Sequence, residues 1–422
     1  MEHKLLESID AREDAIISLL ADLVQIDTTN PYSGDVDPAG EKAGQEYLAP
    51  ILEEMGGQID MFDCPDDIYE RTNVIGPQDR DFSDRPNLVA TWEFGDGPTL
   101  IVNAHMDTVG VDTFEGDPFR AEIKDGRMWG RGTSDCKSGM ACGVMAIKSL
   151  LEIVDDLHGT LIFESVVDEE CNGSGAGTLA CIDRGYTGDA ALFMDGDDRT
   201  VTVGCSGCLT AALNVEGKAG HAARGTGVNA IEKGVVIQQA LYEFKNVREK
   251  QRPEARLNLG IFHGGTHPAV VPARTRLELN MVYQLDEAEA SKQATDIWGG
   301  AVVRDALEKQ IRQAEQSDEW LREHPTEIVW VKDLVPFDEP EDQPLVEDVK
   351  ESFLTVTGRE PNIDRMVAWT DAAWPSSYGH IPTVLFGPAD NTQPHTDSES
   401  VPLENLSRCT KALALYLLRA MS

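Results

Sequence analysis

The residues able to do chemistry come in short, separated groups. His105-Met-Asp107 closes an apolar run, Asp135 lies in the loop GRGTSDCKSG (130–139), and Asp168-Glu169-Glu170 ends the run IFESVV. Asp195 lies in FMDGD (193–197) and His395 in TQPH (392–395). Three adjacent carboxylates repel one another and are costly to desolvate, so solvent, an arginine cluster or a metal must compensate them. For an isolated DEE in a chain with 74 acidic residues, the bland reading is a solvated loop. Taken together, the two imidazoles and the carboxylates suit a pair of divalent ions roughly 3.5–4 Å apart, each held by one His and one carboxylate and sharing a third. At positions i and i+2 of a strand, His105 and Asp107 leave the same face. Asp107 can then accept a hydrogen bond from the imidazole nitrogen turned away from a metal, which sets tautomer and orientation.

The elements that must position these groups share one form, an apolar strand whose carboxyl end delivers polar residues: 99–107, 159–170, 189–197 and 382–395. Helix-like stretches such as SGMACGVMAIKSLLEIV (138–154) separate them, which predicts βαβ units and an α/β fold with a mostly parallel sheet. In such sheets the site lies outside the carboxyl ends of the strands, so the four ends should converge. Residues 12–56 predict two helices around the turn TTNPYSGD, the second ended by Gly56-Gly57. Between the third and fourth strands the texture changes to alternating strands (209–217, 256–265, 275–285, 326–333) with a helix at 229–245 and an amphipathic stretch at 286–322. This predicts an inserted α+β domain at 207–335, dividing a catalytic domain into 1–206 and 336–422.

Composition narrows the function classes. With 74 acids against 36 bases the formal charge is −38, spread along the chain, which argues against a nucleic-acid partner. Such a charge self-repels in dilute buffer, whereas at about 1 M salt the Debye length falls to roughly 3 Å. A salt-rich cytoplasm, as in halophiles, is the simplest setting. No long apolar run suggests a membrane span, and the N-terminal MEHKLLESIDARED is polar, so a cytoplasmic location is expected. The eight cysteines are scattered and read as free thiols. The Cys205/Cys208 CxxC lacks a second pair or a thioredoxin-like context and is a weak redox or zinc signal.

In order along the chain, NAHMDTV (103–109), GRGTSDCKSG, VVDEECNGSGAGT (166–178), FMDGD, GKAGHAARGTGVNAIEKG (217–234), GGTHPAVVP (264–272), WTDA (369–372) and PHTDSESV (394–401) resemble one family. It is the dinuclear zinc metallopeptidase and deacylase family of acetylornithine deacetylase, succinyl-diaminopimelate desuccinylase, aminoacylase and glutamate carboxypeptidase. The resemblance runs from about residue 15 to 415 and implies two divalent ions per chain, zinc first, with cobalt or manganese as alternatives. It implies His105 and Asp195 on one ion, Glu170 and His395 on the other, and Asp135 bridging, followed by a cis Asp135–Cys136 peptide. Glu169 takes the place of the general acid/base, and Asp107 that of the residue orienting His105. Two cations would supply a water of lowered pKa. Glu169 would take its proton and return it to the leaving amine, for which it must not itself be a ligand. The inserted domain would be a lid and dimerisation domain, with His221 of GKAGHAA reaching the neighbouring subunit's site as an oxyanion donor.

The implied substrate is a small N-acyl amino acid or dipeptide. Family members often carry Asn before VVP and Arg a little further on, both holding the substrate carboxylate; here Ala269 and Val282 stand at those places. His267 and Lys332 are the candidate replacements. The competing readings are a dipeptidase or carboxypeptidase of the same family, a dinuclear aminopeptidase, against which the insertion argues, and a catalytically dead scaffold. The last would require a lost ligand or base, and none is lost.

Overall fold

The computed structural model describes residues 1–170 and 173–422. A central sheet runs in the order Gln58–Asp63, Pro86–Glu93, Thr160–Val166, Thr99–His105, Ala190–Phe193, Thr383–Leu385, Thr200–Cys205, Phe337–Asp338, with Asn362–Met366 also paired to Thr200–Cys205. The parallel pairings that the βαβ pattern predicts occupy its middle: Thr99–His105 with Thr160–Val166 and with Ala190–Phe193, and Ala190–Phe193 with Thr383–Leu385. Helices Lys137–Ile153 and Ala176–Arg184 provide two of the crossovers that parallel neighbours require. Toward the edges the sheet is mixed. Pro86–Glu93 is antiparallel to both neighbours, and Thr200–Cys205 is antiparallel to Thr383–Leu385 and Phe337–Asp338.

From Thr99–His105 the chain first places a strand on one side and then, with Ala190–Phe193, on the other. That reversal is a topological switch point, and it opens a crevice at the carboxyl ends of these strands. The strands alternate between two cores, as period-2 side chains must. Leu100, Val102 and Ala104 pack with Leu20, Val144 and Leu413 beneath helices Glu13–Gln25, Lys137–Ile153 and Leu403–Met421, while Ile101 packs with Val167, Leu179 and Trp374 on the opposite face. Gly139 lets helix Lys137–Ile153 approach the Ala190–Phe193 strand end: a Cβ there would lie 1.8 Å from the Met194 carbonyl oxygen. The helix that follows Asp135 is thereby pressed against the segment carrying Asp195.

A separate antiparallel sheet runs Leu257–Gly264, Arg274–Tyr283, Gly207–Glu216, Glu327–Leu334. Helices Ala230–Gln251 and Ala301–Glu315 cover one face, burying Ile237, Leu241, Leu307 and Ile311 against Leu209, Leu213, Leu277 and Leu279. The first helix runs six residues beyond its expected end. The amphipathic stretch resolves into Leu285–Thr295, Ala301–Glu315 and Glu319–Glu323. Asn229 caps the long helix, accepting from the Ile231 N–H at 3.0 Å. The described cysteines are free thiols, and Cys171 lies outside the described residues. Among the described residues no helix is long and apolar enough to cross a membrane.

Candidate metal centre

The four strand ends deliver their polar groups to one place. His105 is the last residue of its strand, Asp195 follows Phe193 by two residues, Glu170 follows Val166 by four, and His395 arrives from the segment after Thr383–Leu385. Asp135 sits in the turn entering helix Lys137–Ile153, and its peptide to Cys136 is cis. The Asp135 carboxylate spans both imidazoles, with Oδ1 3.0 Å from His105 Nε2 and Oδ2 3.3 Å from His395 Nε2. Glu170 Oε2 lies 2.9 Å from His395 Nε2, and Asp195 Oδ1 lies 3.9 Å from His105 Nε2. His105, Asp135 and Glu170 each offer a ligand atom within 4.8 Å of the others. A second such group joins His105, Asp195 and Cys136, whose thiol donates to the His105 carbonyl at 3.4 Å.

His105 Nδ1 lies 2.9 Å from the main-chain oxygen of Asp107 and 3.6 Å from its carboxylate. The strand ends at His105, so the orienting acceptor is chiefly the Asp107 carbonyl rather than the side chain expected from strand geometry. Either contact leaves Nε2 facing Asp135. The Asp107 carboxylate instead ties the loop down. It accepts from Asn30 Nδ2 at 2.8 Å and from the backbone N–H groups of Glu169 and Glu170 at 3.3 and 3.0 Å. Burial works against its charge, but the contact to His105 and these bonds hold its pKa below the usual carboxylate range.

The charges test whether metal fits. Glu169, Glu170, Asp135 and Asp195 put four carboxylates beside two imidazoles, and two divalent cations would balance them. Burial raises the Glu170 pKa to about 7, with Asp135 adding to it, and burial likewise holds Glu169 and Asp195 well above the usual carboxylate range. His395 is raised to about 11 by its bonds to Asp135 and Glu170. Protons are thus held where cations would satisfy the same charges. Glu170 Oε1 is buried without a hydrogen-bond partner among the described residues, as a ligand oxygen awaiting an ion would be. The donor set fits two ions of the zinc type.

The opening acids divide. Glu170 faces His395, and the Glu169 carboxyl makes no hydrogen bond or ion pair with either imidazole among the described residues, although His105 and Asp195 are close enough to shift it. Asp168 turns away with φ +67° and is met by Arg85, whose guanidinium lies 3.4 Å from Asp168 Oδ1 and 2.5 Å from Glu41 Oε1. An arginine, not a metal, therefore compensates Asp168. Lys332, on Glu327–Leu334, is buried and donates to the Gly173 carbonyl at 3.2 Å, just past the Glu169–Glu170 loop. His267 and His221 are exposed, and each Nδ1 accepts from a backbone N–H two residues on, Ala269 and Ala223. Within one chain neither is joined to the carboxylate cluster. Asn30 and Arg85 carry no motif signal, since they act from 44 to 140 residues away in sequence. Asp371 of WTDA and Glu399 of PHTDSESV have no role that residue type and spacing alone reveal. Asp371 accepts from Thr178 Oγ1 at 2.5 Å and raises the pKa of Glu169.

Known proteins resemble this chain over most of its length. The model of peptidase family M20/M25/M40 matches residues 101–419. An N-formyl-4-amino-5-aminomethyl-2-methylpyrimidine deformylase of Halalkalibacterium halodurans is 29% identical, with 98% of this chain and 96% of that protein covered. Its namesake in Bacillus subtilis is 29% identical, covering 99% and 97%. Among solved structures, the dipeptidase Dug1p of Saccharomyces cerevisiae superposes with a TM-score of 0.73 at 14% identity, covering 99% of this chain and 98% of that one.

Proposed function

The chain belongs to peptidase family M20/M25/M40, and on that premise we propose that it is a two-metal hydrolase releasing an amine from a small N-acylated substrate. The observation that carries this reading is the carboxylate of Asp135 set between His105 and His395, with Glu170 and Asp195 beside them. In the proposal His105 and Asp195 would hold one ion, Glu170 and His395 the other, and Asp135 would serve both. The ions would supply Lewis acidity and a water acidified toward neutrality. Glu169, left out of the ligand contacts, would be the group to accept a proton from the attacking water and to return it to the leaving nitrogen. Asp107 and Asn30 hold the loop that aims it.

We propose the limits 1–206 and 336–422 for the catalytic domain and 207–335 for the lid, and a homodimer formed through the lid. The strand Leu257–Gly264 is an open edge with Ile261 and Phe262 exposed, and Val235, Tyr242 and Val247 of helix Ala230–Gln251 are exposed near it in sequence order. In such a dimer the exposed His221 serves the partner's site as oxyanion donor.

For the substrate, an N-acyl amino acid or dipeptide requires a carboxylate holder, and Ala269 and Val282 cannot provide one. Of the two candidates His267 and Lys332, we favour Lys332, which is buried beside the loop bearing Glu169 and donates to the Gly173 carbonyl. A second reading is favoured by the same two residues together with the names of the two deformylases: an N-formyl aminomethyl heterocycle without a carboxylate. Metal analysis combined with a panel of N-formyl, N-acetyl and N-succinyl amines, with and without a carboxylate, and dipeptides tests both. Two ions and amide turnover are expected. A metal-replete protein that turns over no member of the panel would favour the scaffold reading.

A further inference from the structure

Glu399 lies four residues beyond His395 and is fully buried. Its two oxygens are shared among four donors of one short loop. Oε2 accepts from Arg131 Nη1 at 2.8 Å and the Gly132 N–H at 3.1 Å, and Oε1 accepts from the N–H groups of Ser134 at 2.7 Å and Asp135 at 3.1 Å. The main chain beside it is fastened to the same loop. The Glu399 carbonyl accepts from the Gly130 N–H at 3.1 Å, the Ser400 carbonyl accepts from Ser134 Oγ at 3.2 Å, and Ser400–Pro402 pairs antiparallel with Arg127–Trp129.

We infer that Glu399 is a positioning residue for the dinuclear centre, setting the Asp135 carboxylate and the His395 imidazole at a fixed separation. The argument rests on the two-ion reading proposed above. Asp135 is the group set between both imidazoles, and its own N–H ends on Glu399. His395 is half-exposed with φ +61°; Asp397, two residues on, is held by Thr113 Oγ1 and the Glu115 N–H, and the buried Glu399–Ser400 fastening that follows ties the same segment to the Asp135 loop. One buried carboxylate therefore links a ligand that arrives before a helix to another that arrives 260 residues later. Charged acceptors of backbone N–H groups make the stronger hydrogen bonds, and groups that orient ligands tune metal affinity without touching the metal.

Zinc binding to wild type, Glu399→Gln and Glu399→Asp, measured by competition with a chromophoric chelator, tests this. Far-UV circular dichroism at saturating zinc reports the fold, and the electronic spectrum of the cobalt-substituted proteins reports ligand geometry. Glu399→Gln should weaken at least one ion about 10–100-fold and change the cobalt spectrum, with the fold retained. Glu399→Asp keeps the charge but is too short to reach all four donors, and should fall between. Two ions in wild type, with wild-type affinities and cobalt spectra in both variants, would overturn this inference alone. Variants that do not fold even at saturating zinc would make Glu399 an element of the fold and also overturn it. Fewer than two ions in wild type would overturn both this inference and the reading it rests on.

Discussion

Replacing Glu169 with Gln separates the proposed acid/base from the proposed ligands. The substitution is nearly isosteric and leaves the loop's anchoring untouched, because the Glu169 and Glu170 N–H groups, not the Glu169 side chain, bind Asp107 at 3.3 and 3.0 Å. The contacts to the imidazoles come from Asp135, Glu170 and Asp195, so all five proposed ligands stay in place. Metal content should therefore remain at two ions per chain. What is lost is a proton acceptor and donor. A positioned general acid/base is worth about 10²–10⁴-fold, or roughly 3–5 kcal/mol of barrier. The assay is steady-state kcat on whichever amide the substrate panel identifies, run beside elemental analysis of the same samples. A variant with wild-type turnover would remove Glu169 from the mechanism. A variant lacking one ion would make Glu169 a ligand and require another residue as base.

Asp195→Ala should lose one of two ions while keeping a native far-UV spectrum, and two ions retained in elemental analysis would exclude Asp195 as a ligand. Glu164, buried in Thr160–Val166 with Asn103 Nδ2 donating to it at 2.8 Å, has its pKa raised to about 7, first by burial and then by Asp371. The folded state then binds the proton more tightly than the unfolded state. The stability this provides is full below about pH 4.5 and is lost as pH rises to about 7, a contribution on the order of 3 kcal/mol. The difference in unfolding free energy between wild type and Glu164→Gln should drift accordingly, and a difference flat across that window would place the Glu164 pKa near its ordinary value. His221→Ala should lower kcat about 10²–10³-fold with unchanged metal content, and mixing it with Glu169→Gln should restore activity in heterodimers. No complementation after verified subunit exchange, or a fully active monomer, would end the shared-site proposal. With a formal charge of −38, the melting temperature should rise between about 0.1 M and 2 M KCl as repulsion is screened, and a flat or falling curve would reject a screening-dependent fold.

The sequence by itself determined the ordered motifs and, through them, the family. His105, Asp135, Glu170, Asp195 and His395 were legible because each follows a recognisable apolar strand or loop, and hydrophobic periodicity is a local property. The same locality made the parallel centre of the sheet and the antiparallel strands of the insertion readable. Only the tertiary structure decided the direction of the edge pairings, since Pro86–Glu93 reads as an apolar strand whichever way its neighbours run. It also decided what compensates each acid. Asp168 and Glu170 are two residues apart in one motif, yet a positive φ sends the first to Arg85 and leaves the second facing His395. Asn30, Arg85 and Glu399 act across 44 to 268 residues of chain. No spacing rule encodes such contacts, because hydrogen bonds to a buried carboxylate depend on which segments the cores bring together and not on how far apart those segments lie in sequence.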